Sequence, residues 1–152
     1  MSKVILSQIG QLENDLYIQC GCLLNCSFLR INKFECFDEV SFHFDILSES
    51  KNKLIDCFAN KEDMMQLEYV MKKVSMARDE YSLSLLTESG WFIELTKVGH
   101  IRDHGIMTIE FYKTERRYIK EKTSGGLVID LKNVSKIRSA IRELVEDKEC
   151  QK

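Results

Sequence analysis

Asn60-Lys-Glu-Asp-Met-Met-Gln-Leu-Glu-Tyr-Val-Met-Lys-Lys-Val-Ser-Met76 lies near the middle of the chain and carries a helical period. Met64, Leu67, Met71 and Val74 recur at spacings of three, four and three, which stacks them on one face. Asn60 is a good N-cap, and Asp63 can reach back to it as a variant capping box. Glu62 and Asp63 stand in the first turn and Lys72 and Lys73 in the last, matching the helix dipole. The sequence on either side of this helix alternates in the manner of strands, up to a second helical stretch near the C-terminus.

Working outward, Leu16 to Phe28 reads as one long strand. Cys20, Cys22 and Cys26 share even positions with Leu16, Ile18, Leu24 and Phe28, so all seven are expected on one face. A polar break follows Asn32 and Lys33. Val40, Phe42, Phe44 and Ile46 alternate with Ser41, His43 and Asp45 in a second strand with one wet face. Leu54 to Ala59 is a short third strand that leads into the helix. Tyr81 to Thr87, Trp91 to Lys97 and Ile106 to Tyr112 are three more, with a Ser89-Gly90 turn and a polar loop over residues 98–105. Tyr118 to Lys122 continues or pairs with the sheet, and Leu127 to Ile129 is a final short strand. The second helix is expected from Leu131 to Asp147, N-capped by Asp130, with Val134, Ile137, Ile141 and Leu144 inward.

The apolar faces of the two helices superpose at an offset of 70 residues, each after a short apolar strand. That pattern suggests an internal strand-strand-strand-helix repeat. About seven strands with two helices exclude a doubly wound parallel sheet. The expected fold is α+β: one antiparallel, twisted sheet with both helices on one face, in a single domain spanning residues 1–152.

Composition bounds the function. With 152 residues, 44% of them hydrophobic, the chain is long enough to bury a core. A formal net charge of −2 gives no long-range attraction to nucleic acid or an anionic membrane. No apolar run approaches the roughly 20 residues of a membrane span. The N-terminal residues lack the pattern of a secretory leader, so the cytoplasm is the expected location. Six cysteines then read as reduced core residues, and Cys-x-Cys-x3-Cys is not a zinc-knuckle spacing. No cofactor or metal is expected. The absence of a nucleophile, base or phosphate-cradle motif argues against an enzyme.

Two segments could bind a partner. His100-Ile-Arg-Asp-His104 places Asp103 and His104 in a polar loop without a third metal ligand, so a protein contact is the better role. The hairpin before and after that loop is more informative. With a turn near Arg102, residues whose numbers sum to 204 oppose each other. Trp91, Ile93, Leu95, Met107, Ile109 and Phe111 then form the inner face. Phe92, Glu94, Thr96, Thr108, Glu110 and Tyr112 form the outer one. Glu94 lies directly across from Glu110, a like-charge pair flanked by aromatics and suited to a cationic partner. The basic cluster Lys113, Arg116, Arg117, Lys120 and Lys122 is interleaved with Glu115 and Glu121, as on a solvated hairpin.

Three stretches carry a resemblance: Cys57-Phe-Ala-Asn-Lys-Glu-Asp-Met-Met-Gln-Leu67, Ser89-Gly-Trp-Phe-Ile-Glu-Leu95 and Val128-Ile-Asp-Leu-Lys-Asn-Val-Ser-Lys-Ile137. Over roughly residues 38–147 the chain resembles the small immunity proteins of bacterial contact-dependent growth inhibition and polymorphic toxin systems. The resemblance implies a cytoplasmic, non-catalytic protein that binds and neutralises a cognate toxin domain, often a nuclease; a monomer or a homo-oligomer, such as a dimer, is expected. It assigns no functional residue. The repeat also resembles the PUR/Whirly type of single-strand nucleic-acid-binding fold. Such a sheet should present basic and aromatic residues, whereas this one presents Glu94 and Glu110. Tight nucleic-acid binding is therefore not expected.

Overall fold

In the computed structural model of the chain, alternation in the first third becomes five antiparallel strands. The structure describes residues 8–12, 15–22, 25–36, 39–48, 52–101, 104–115, 119–122 and 127–146, with side chains over 15–18, 29–35, 39–45, 57–99, 105–113 and 128–146. The first sheet runs in simple meander order: β1 (Gln8–Leu12), β2 (Asp15–Cys22), β3 (Asn25–Cys36), β4 (Glu39–Ser48) and β5 (Asn52–Ala59). Helix α1 (Lys61–Ser75) follows. The second sheet contains β6 (Tyr81–Leu86), β7 (Trp91–Ile101), β8 (His104–Glu115), β9 (Ile119–Lys122) and β10 (Leu127–Asp130). Its order is β10-β8-β7-β6, and β9 also pairs with β8. A 3-10 turn at Leu131–Asn133 then leads into α2 (Val134–Val145).

The α+β class holds, but one sheet of about seven strands is replaced by two five-stranded sheets. Leu16 to Phe28 is not a single strand. It breaks between Cys22 and Asn25, and Leu16 pairs with Ile31 and Ile18 with Leu29. Cys26 and Phe28 fall opposite Gly21 and Gln19, in the other alternation from Leu16 and Ile18. The side chains of Cys20, Cys22 and Cys26 lie outside the described residues. Cys57 is described, and it is buried.

Both helices form where their periods place them. Asn60 accepts from the Asp63 backbone N–H at 2.7 Å, and Asp63 accepts from that of Asn60 at 3.1 Å. The box is therefore reciprocal and satisfies donors that would otherwise lack helical partners. Met64, Leu67, Met71 and Val74 are buried, as are Val134, Ile137, Ile141 and Leu144. Asp130 caps the 3-10 turn by accepting from the Lys132 N–H at 3.0 Å.

The expectation that both helices cover one sheet face is corrected by their packing. Helix α1 lies chiefly on β6 and β7 of the second sheet, and α2 lies on β2 and β1 of the first. The halves thus exchange helices. Lys33 of β3 donates to the Glu146 carbonyl at the end of α2, at 3.3 Å. Lys97 of β7 donates to the Ala77 carbonyl just past α1. These two lysines hold equivalent places, because Lys33 pairs with Phe42, which pairs with Ala59, while Lys97 pairs with Met107, which pairs with Ile129. Where the helices meet, Arg138 donates to Glu68 at 2.6 Å, and these positions are 70 residues apart. Four strands and a helix, β2 to α1, are answered by β6 to α2, with β9 and β10 together standing for β5. One buried cluster joins both sheets, and Phe44 meets Phe111 with ring centroids 5.7 Å apart.

Candidate binding face

The β7–β8 hairpin has the register that parity demands. Phe92 pairs with Tyr112, Glu94 with Glu110, and Thr96 with Thr108. Trp91, Ile93, Leu95, Met107, Ile109 and Phe111 are buried, and the other alternation is half-buried. Burial of six large apolar side chains stabilises this choice, because a slip of one residue would mix the two faces and bury a glutamate. Like charges directly opposite on one sheet face destabilise the ribbon locally.

Hydrogen bonds hold the pair in place. Ser82 of β6 donates to Glu94 at 3.0 Å, and its hydroxyl lies 3.0 Å from that of Thr96. The Tyr112 phenol donates to Glu110 at 3.1 Å. On the far side of β8, β10 covers Ile106–Ile109 and β9 covers Tyr112–Glu115. Glu110 therefore lies where the edge passes from one short strand to the other. In the first sheet the equivalent pair is Arg30 opposite Asp45, which forms a salt bridge. Its hydrogen bond to Asp45 holds the Arg30 guanidinium above its ordinary value against the opposing effect of burial. One half thus carries a neutralised pair where the other carries two acids.

Of the residues singled out in the sequence, Phe92, Glu94, Glu110 and Tyr112 come together. The His104 backbone lies apart from them. The polar loop expected over residues 98–105 is largely strand, since β7 runs to Ile101 and β8 begins at His104. At the tip, Ile101 pairs with His104, some six residues from Glu110, or roughly 20 Å along the ribbon. Asp103 and the His104 side chain lie outside the described residues. The register shifts between Lys97 and Gly99, and Gly99 has a φ of 148°, a conformation that suits glycine.

The sequence reading missed a second feature. On the outer face of the first sheet, His43 touches Phe34 with centroids 5.4 Å apart and Phe58 edge-on at 4.2 Å. Phe34 was hidden because β3 continues through the expected polar break to Cys36. Alternation alone gives Phe58 away, since Cys57 and Ala59 on either side of it are buried.

No protein-family model matches the chain, and no curated protein does either. Among the described residues no helix is long and apolar enough to cross a membrane, and no three metal-ligating side chains cluster.

Proposed function

We propose that this is a non-catalytic immunity protein that neutralises a cognate toxin domain in the cytoplasm by direct binding. The observation that supports the reading is the outer face of the β7–β8 hairpin, where Glu94 stands opposite Glu110 beside the Phe92–Tyr112 pair. A nuclease toxin presents a basic cleft. Two carboxylates steer such a partner, and adjoining aromatic rings supply contact area at low entropic cost. Binding a cationic group between the glutamates would also relieve their mutual repulsion.

The test is a pull-down and a growth-rescue assay with the toxin domain encoded beside this chain. Glu94→Lys with Glu110→Lys should abolish capture and rescue while leaving the circular dichroism spectrum intact. Full rescue by the double variant would remove this face from the interface, and absence of any binding to the neighbouring toxin would remove the immunity reading.

A second reading, single-stranded nucleic-acid binding, is favoured by the architecture of two four-strand-plus-helix halves with exchanged helices. Surface charge argues against it. Arg30 is committed to Asp45, and the hairpin face is acidic, so neither centre neutralises phosphate. Sub-micromolar binding of an oligonucleotide at physiological salt would reverse the order of the two readings.

A further inference from the structure

The aromatic row of the first sheet opens onto a groove of about 620 Å³ between the ends of β4 and β5, the start of α1 and the β6–β7 turn. Phe58 and Ser41 line it, and Ser41 is the register partner of Phe34. Phe34 is 48% exposed and Phe58 38%, so two phenyl rings face solvent on either side of the His43 imidazole. Such a contiguous aromatic strip on a sheet face is a contact surface for stacking or for cation–π attraction.

Charge decides which. Glu39, Glu62 and Glu88 line the groove, and among the described residues lining it Lys61 alone opposes them. At the start of α1 the carboxylate of Asp63 already accepts the Asn60 and Glu88 N–H groups, and the Asn60 side chain accepts the Asp63 N–H. A phosphate backbone would meet net negative charge here, while a guanidinium or ammonium would find an aromatic wall and three carboxylates.

We infer that this groove docks an arginine- or lysine-bearing segment of a partner protein, with the cation against Phe58 and His43 and paired to Glu62 and Glu88. The surface belongs to the other sheet from the hairpin face, and the inference stands whether or not the hairpin binds a toxin.

The full chain is titrated with a blocked arginine-glycine peptide, its glutamate-glycine counterpart and a twelve-nucleotide oligothymidine, by calorimetry and by amide chemical-shift mapping. The arginine peptide should saturate and shift the amides of residues 39–41, 58–62 and 88–89, with weaker binding at high salt. Phe58→Ala should raise its Kd at least tenfold. Glu62→Gln with Glu88→Gln, which preserves shape, should do the same. Lack of saturation, shifts confined to other surfaces, or the oligonucleotide binding at this groove in place of the peptide would each overturn the inference.

Discussion

Asp63 shows how much a single side chain can join. It closes the capping box with Asn60, and the same carboxylate accepts the Glu88 backbone N–H at 3.0 Å, tying α1 to the β6–β7 turn. The first role is legible in the sequence, because a cap and its partner are three residues apart. The second is not, since nothing local links residues 63 and 88. The two roles separate largely by mutation, since Asn60 reaches the same turn only through an exposed side-chain bond to the Glu88 carboxylate at 3.2 Å. Asn60→Ala should cost about 1 kcal/mol, the usual value of a lost cap. Asp63→Ala strands a further backbone donor and should cost more, about 1.5–3 kcal/mol for a hydrogen bond to a charged group. Urea midpoints at unchanged slope measure both, and equal losses would refute the tie to the turn.

Among the elements, the β7–β8 hairpin was fully specified over its first seven pairs. Six apolar residues in strict alternation leave one tolerable register, and it forms. Beyond Lys97 the bulge at Gly99 changes the register, so alternation there no longer reports on the face. The β2–β3 hairpin was illegible for a different reason. Leu23 and Leu24 carry no turn chemistry, and the apolar run continues through them. The strand bearing Phe34 is concealed for the opposite reason, because polar Asn32 and Lys33 imitate a break where β3 continues. The hairpin also allows a test of its strained pair. Glu94→Gln keeps the acceptor for Ser82 and removes the repulsion, so stability should rise by about 0.2–1 kcal/mol. The gain should shrink in high salt as the repulsion is screened. A fall in the urea midpoint would show that Glu94 is stabilised by its surroundings.

At the scale of the molecule, the 70-residue offset between the helix faces was visible in the sequence, but the exchange of helices was not. Periodicity tells which face of a helix is buried and is silent on which sheet buries it. Glu68 and Arg138 meet at equivalent positions, and Lys33 and Lys97 hold the ends of the opposite half's helix. Each sheet consequently lacks its main cover until the other half is present. Fragments 1–79 and 80–152, cut in the exposed Arg78-Asp79-Glu80 link, should each be unfolded alone and should recover a cooperative thermal transition when mixed. Cooperative unfolding of either isolated fragment would refute the mutual dependence.

The β6–β7 turn does one more thing. The Ser89 hydroxyl takes the Phe58 N–H at 3.1 Å and donates to the Phe58 carbonyl at 2.9 Å. Phe58 lies on β5, the last strand of its sheet, where open backbone groups invite another molecule to add a strand. A single serine occupies both groups at the most aromatic point of that border, so strand-by-strand growth of one molecule onto the next is blocked there. This guard is supplied by the opposite half of the chain and is in place only once the two halves have met. Resistance to strand-by-strand growth at this border therefore depends on the same union of the two halves that folding requires.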